Sequence, residues 1–181
     1  MKIKIIIIGA AILLSGKSNG QISSVNLGGS LHTGAIQGNS APVSTLGGSF
    51  FIDFFPWFEH DVSFRLGYTY SQKVEYFLPE DRAGRYYPLL KIFSLRGFIR
   101  QDISFPVYLE VGAGLIYLND RTLADVNEWE AGASFGAMAG IDFRKSGSKG
   151  ITAGIGLDYG VAFMKTSANY YFIFLQCQYF F

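Results

Sequence analysis

The 181-residue sequence predicts an all-β fold, an eight-stranded antiparallel up-and-down barrel that crosses a membrane, on three observations. Apolar and aromatic residues recur at every second position in eight separate stretches. The connections between those stretches alternate in length. The composition is 49% hydrophobic with 22 Gly, 17 Phe and 11 Tyr, yet no apolar run approaches the roughly 20 residues of a membrane-spanning helix. Strict alternation is a period no helix produces. Membrane burial spread over many short strands accounts for so much apolar surface.

The first twenty residues read differently from the rest. Met1-Lys2-Ile3-Lys4 is a short basic start, Ile5 to Leu14 is apolar apart from one glycine, and Ser15 to Gly20 is small and polar. This is the pattern of a secretory signal peptide, residues 1–20, with cleavage expected after Gly20. Residues 21–181 then form one barrel domain.

The strands follow in order. Val25 to Thr33 and Leu46 to Phe54 alternate, with Asn26, His32 and Asp53 on their polar faces. Val62 to Tyr70 places every even residue on an apolar or aromatic face. Phe93 to Ile99 alternates more weakly against Ser94, Arg96, Phe98 and Arg100. Val107 to Tyr117 sets Tyr108, Glu110, Gly112 and Gly114 against its apolar side, and Glu130 to Phe143 and Ile151 to Phe163 oppose alanines, aromatics and branched residues to glycines, Asp142 and Asp158. Tyr171 to Phe181 closes the series. Each stretch has about the 9–11 residues needed to cross a bilayer as a tilted strand.

Short connections are expected at Pro56 to His60, Asp102 to Phe105 and Lys145 to Lys149. Longer ones are expected at Gly34 to Pro42, Ser71 to Pro88 and Asn119 to Trp129, with Thr166 to Asn169 a short exception. Short turns on the periplasmic side and longer outer loops are the habit of outer-membrane barrels, and both termini then lie in the periplasm.

Alternation alone does not say which face points outward, because a soluble ligand-binding barrel would put its apolar set inside. The polar set decides. It is mainly Gly, Ser and Thr, too small for a water-facing exterior. Aromatics also gather at strand ends: Tyr68, Tyr70, Tyr117 and Phe163 at one level, and Phe54, Phe143, Tyr179 and Phe181 at the other, as two membrane interfaces favour.

Eight strands leave a lumen that side chains can fill. The inward charges are Asp53, Arg65, Arg96, Arg100, Glu110, Glu130, Asp142 and Asp158. Turn positions set Arg96 opposite Glu110 and Asp53 opposite or near Arg65, as ion pairs that let charge sit in a narrow interior. The inward glycines of the sixth and seventh strands are expected to make room for Phe51, Arg65, Arg96, Phe98, Arg100 and Tyr108 from the other wall. The expectation is a plugged barrel without a continuous pore.

The formal charge of +1, with charges scattered, argues against a nucleic-acid partner. Cys177 is the only cysteine, so no intramolecular disulfide forms; it is expected to face lipid. Two separated histidines and one cysteine make no metal centre. No phosphate-cradling motif is present. No cofactor is expected. Lipid A deacylases of similar size carry His and Ser two apart on a strand face, whereas His32 precedes Thr33 and Gly34, and His60 precedes Asp61, Val62 and Ser63. The chain is therefore expected not to be an enzyme, with His32 a satisfied lumen residue and His60 a turn residue. In the longest loop, Arg82, Arg85, Tyr86 and Tyr87 are candidates for binding lipopolysaccharide phosphates or an extracellular protein, set against a loop that merely extends two strands. Trp129 is expected to anchor at the interface.

The ending, aromatic or apolar at every second position up to Tyr179 and Phe181, resembles the assembly signal of Gram-negative outer-membrane barrels, which implies recognition by the barrel-insertion machinery. Together with the signal peptide and eight strands, the chain resembles the small OmpA/OmpX-type barrels and the wider group of outer-membrane β-barrel domain proteins. That resemblance implies residence in the bacterial outer membrane among its lipids and lipopolysaccharide, and for some relatives adhesion, host-surface interaction or envelope integrity. Fold analogy does not choose among these. The reading is a non-enzymatic integral barrel, structural or surface-interacting through its loops. The alternatives are a lipid A modifying enzyme and a narrow conduit for small apolar solutes, the latter disfavoured by the inward charges.

Overall fold

The structure is a computed structural model that describes residues 22–38, 41–56, 61–78, 86–144 and 149–181. The expected signal peptide, the residues 57–60 and 145–148 of two turns, and Arg82 and Arg85 lie outside the described residues.

The chain forms eight strands: β1 (Ile22–Gln37), β2 (Val43–Pro56), β3 (Val62–Lys73), β4 (Leu89–Ser104), β5 (Val107–Arg121), β6 (Glu128–Asp142), β7 (Gly150–Ala162) and β8 (Asn169–Phe180), with a short 3-10 helix, Val74–Phe77, after β3. Each strand pairs antiparallel with its sequence neighbours, and β1 pairs with β8, so the sheet closes into a barrel. Closure leaves no strand edge, the condition for a sheet to stand in hydrocarbon. The strands run 12 to 16 residues, longer than the alternation indicates, because pairing continues past the apolar band where outward residues turn polar.

One end of the barrel carries the termini and the turns after β2, β4 and β6. The other carries the connections after β1, β3, β5 and β7, and these are called the turn end and the loop end. The β4–β5 connection is shorter than expected, only Phe105-Pro106, with a register irregularity between Asp102 and Ser104. The last loop-end connection is longer than expected, running from 163 to 168, and Ser167 takes a left-handed φ of 47° to turn it.

Outward faces are apolar from the turn end almost to the loop end. Leu31, Leu66, Leu95, Leu115, Ile155 and Leu175 are each more than half exposed, which only a nonpolar surrounding explains on this scale. Cys177 is free and faces the same surroundings. Near the loop end a row of rings wraps four strands: Tyr68 to Phe93 at 5.0 Å, Phe93 to Trp129 at 5.9 Å and Trp129 to Tyr117 at 5.0 Å. Trp129 thus stands in the row that membrane interfaces favour. Tyr179 and Phe181 stand exposed at the turn end with their rings 5.1 Å apart.

Arg96 of β4 fills the lumen as expected, its Nη1 3.6 Å from where a Cβ on Gly136 of β6 would stand, but the rings fill it differently. Inward rings do not reach to glycines on the far wall; they lie on the glycine paired with them in the next strand. Phe51 covers Gly28, Phe98 covers Gly112, Tyr108 covers Gly140 and Tyr170 covers Gly160, each pair in register, and a Cβ on any of these glycines would run into the ring. Toward the loop end Ile36, Leu90, Ile92, Ile116, Leu118, Tyr170 and Phe172 form an apolar core.

An outward charge tests the orientation of the faces. Leu115→Arg is expected to cost about 2–4 kcal/mol of unfolding free energy in lipid vesicles, the depth-dependent penalty near a bilayer midplane. Urea titration measures it, and no cost would mean that this face meets water.

Candidate functional site

The lumen concentrates the chemistry of the chain. Period two brings Asp53 on β2, Arg65 on β3, Arg96 and Arg100 on β4, Glu110 on β5, Asp142 on β6 and Asp158 on β7 to the inner face. Asp53 lies directly across the ladder from Arg65, and the guanidinium grips it with Nε donating at 2.6 Å and Nη2 at 2.8 Å. Nη2 also donates to Glu110 at 2.8 Å, and Nη1 to Gln176 at 3.1 Å. The Phe51 and Phe98 rings flank the same group at 4.1 and 4.2 Å. One side chain therefore ties together five strands, β2, β3, β4, β5 and β8. Planar geometry and several donors suit arginine to this role.

The expected pairing of Arg96 with Glu110 does not form. Because the β4–β5 turn sits at Phe105-Pro106, Arg100 faces Glu110 and Arg96 faces Gly114. Moving the turn centre by two residues slides the ladder by four, an even number that keeps every face but changes every partner. Arg96 instead pairs with Asp158, at 2.9 Å across the lumen. At the turn end Arg100 binds Asp142 at 2.6 Å and Asp102 at 2.9 Å, while lying 3.9 Å over the Tyr108 ring. Arg144 shares the Asp142 oxygen that Arg100 binds, its Nη2 donating to Oδ2 at 2.6 Å, while its Nε donates to Oδ1 at 2.9 Å, and it covers the Phe180 ring. Arg144, Gln176 and Gln178 were not among the candidate residues. The glutamines share the inward face with Phe172 and Phe174, a visible signal, whereas Arg144 lies beyond the alternating run.

Between the charged belt and the apolar core is a cavity of about 40 Å³, with Ser30, His32, Thr69, Arg96, Asp158 and Phe174 in its lining. A water molecule needs roughly 10–15 Å³ of such space, so a few would fill it. His32 is buried and stacks on Phe172 at 4.2 Å, but its Nε2 has no protein partner, and neither have Arg96 Nε and Asp158 Oδ1. Water in the cavity that His32 lines can serve that atom. The inward charges occupy only part of the lumen, and the half toward the loop end is a packed apolar plug. Glu130 is buried there, with one oxygen accepting from the Thr166 N–H at 2.8 Å.

At the loop end Tyr87 is buried and Tyr86 exposed. The Tyr86 hydroxyl donates to the carbonyl of Arg121, fastening the β3–β4 connection to the end of β5. Partial burial raises the Tyr86 phenol above its ordinary pKa, and the Arg121 guanidinium draws it back down. Among the described residues no group of three or more His, Cys, Asp or Glu could hold a metal.

Arg65→Met would leave Asp53 and Glu110 buried without their counterion and is expected to cost about 3–5 kcal/mol. Adding Asp53→Asn and Glu110→Gln is expected to restore most of that loss. Urea unfolding of the three variants in vesicles measures both steps, and a loss near zero for Arg65→Met would remove this cluster as the organiser of the lumen.

No protein-family model matches the chain. No curated protein matches it either. Solved structures do. Neisserial surface protein A aligns with a TM-score of 0.61 at 11% identity, over 85% of this chain and 95% of that one. The N-terminal β-barrel domain of Pseudomonas aeruginosa OprF aligns with a TM-score of 0.51 at 18% identity, over 90% of this chain and all of that domain. Identities this low carry the architecture alone. With its closed antiparallel sheet and apolar outward faces, the chain has the fold of the eight-stranded transmembrane β-barrels.

Proposed function

We propose that the chain is a non-enzymatic integral barrel of a bacterial outer membrane, exported by residues 1–20, which serves a structural or surface-interacting role through its loop end. The observation that carries this reading is the filled lumen. Ion pairs, rings on glycines and an apolar plug occupy successive levels of it, and the cavity among them is too small for a solute. The expected alternation in connection length holds only in part, since residues 143–149 at the turn end outnumber three of the loop-end connections, but the longest connection, 74–88 between β3 and β4, is at the loop end and favours that end as the outer side. The likeness to a Neisserial surface protein supports the same location.

Catalysis on lipid A finds no support in the placement of His32, the one histidine among the described residues. His32 lies inside the wall against Phe172, where an acyl chain cannot reach it. A conduit for apolar solutes gains an apolar half-lumen but meets the Arg65 and Arg96 pairs beneath it. Partners for the loop end are lipopolysaccharide or an extracellular protein, with Tyr86 the candidate residue exposed there.

Two measurements test the proposal together. In planar bilayers the wild-type protein is expected to give no large, steady conductance. Lipid A incubated with the folded protein is expected to keep all its acyl chains by mass spectrometry, and His32→Ala is expected to change nothing. Steady conductance or loss of an acyl chain would each overturn the corresponding half of the reading.

A further inference from the structure

Along the outward faces of the eight strands the described residues include only two charged side chains, Lys91 and Arg121, and both are cations. They are neighbours. In the β4–β5 ladder Lys91 pairs with Asn119 and Leu89 with Arg121, which sets the two cations diagonally on the same face, within reach of one another's long side chains. Lys91 is also directly opposite Tyr70 on β3. Arg121 is held beside Tyr86 by the hydrogen bond from that phenol to its carbonyl. Neither cation has a carboxylate partner among the described residues. Arg121 Nε is buried with nothing to donate to.

Their level on the wall matters as much as their charge. Immediately below them runs the row of Tyr68, Phe93, Tyr117 and Trp129, and below that the exposed Leu66, Leu95 and Leu115. From the loop end downward the outer wall of β3 to β6 thus presents cations with phenols, then amphipathic rings, then aliphatic surface. That order matches a lipid read from headgroup to acyl chain. Isolated cations near hydrocarbon are costly unless they reach an anion at the interface. Arginine and lysine side by side supply a forked donor and a point charge, the pair that suits a phosphate.

We infer that Lys91 and Arg121, with Tyr70 and Tyr86 beside them, form a binding site for the phosphorylated headgroup of an outer-leaflet glycolipid, whose acyl chains lie on the aromatic and aliphatic wall below. This inference rests on the proposed outer-membrane location and names one partner for it. Residues outside the strands, Arg82 and Arg85 included, are not needed.

The test uses the folded protein in detergent and native mass spectrometry with two probes, bisphosphorylated lipid A and the same lipid stripped of phosphate. The phosphorylated form is expected to bind at least tenfold tighter. The variant Lys91→Gln/Arg121→Gln is expected to lose that preference while binding the stripped lipid as before, and Lys165→Gln, an exposed loop-end cation paired with Glu128, is expected to keep it. Millimolar inorganic phosphate is expected not to displace the lipid; full displacement would mean a site for free anions and overturn the lipid assignment. Equal binding of the two lipids, or a preference that survives the double variant, would overturn the site. Heat-modifiable gel mobility checks that each variant is folded, and if the double variant is not, the single variants and the two-lipid comparison on the wild-type protein still decide. A heat-modifiable barrel in the outer-membrane fraction that fails to discriminate sinks the site alone, whereas absence from that fraction sinks the location beneath it.

Discussion

Hydrocarbon offers no partner to a backbone N–H or C=O, and the architecture follows from that constraint. A sheet satisfies it only by closing, so β1 must meet β8, and with eight strands the enclosed space is narrow. Period two then divides the side chains strictly. Whatever points out must tolerate lipid, and whatever points in must fit a tube packed by its own residues. The glycines belong to this second demand. A ring laid on the neighbouring strand's glycine, as Tyr108 lies on Gly140, fills space without crowding the axis and covers a backbone that has no side chain of its own.

The narrowness also explains the charges. An ionised group in such a tube is tolerable only when paired and hydrogen-bonded, and Arg65, Arg96, Arg100 and Arg144 are matched by Asp53, Glu110, Asp142 and Asp158. Pairs of this kind add little net stability over well-packed apolar residues, but they are exacting about register. A slip of one strand past another would leave Arg65 without Asp53 in a place where a few waters cannot replace a buried carboxylate. The ion pairs therefore bear more on which barrel forms than on how strongly it is held together.

How much of this the sequence discloses depends on which interaction carries the information. Strand number and the inward face of every lumen charge except Arg144 follow from alternation, a property each strand displays alone. Partners do not, because they depend on where each turn is centred. Moving the β4–β5 turn from the expected Asp102 to Phe105 span to Phe105-Pro106 keeps Arg96 and Glu110 inside but separates them. The true partner of Arg96, Asp158, stands on β7, beyond the reach of any hairpin argument. Lys91 and Arg121 were hidden for a related reason. The alternating cores of β4 and β5 read as Phe93 to Ile99 and Val107 to Tyr117, which leaves Arg121 in the expected Asn119 to Trp129 connection and Lys91 unassigned between Pro88 and Phe93, and only the full ladder extends the strands to include them.

The division of the lumen bears on where recognition can happen. Polar chemistry is concentrated toward the turn end and the middle, while the half nearest the loop end is sealed by Ile36, Leu90, Ile92, Ile116, Leu118, Tyr170 and Phe172. A molecule arriving at the loop end therefore meets a closed apolar plug, not the arginines beneath it. The polar groups it can reach are on the rim and on the outside of the wall. That geometry separates two tasks within one sheet: inward residues set the register and keep the tube shut, and the outward residues above the aromatic row, where strand meets interface, are left to make contacts with other molecules.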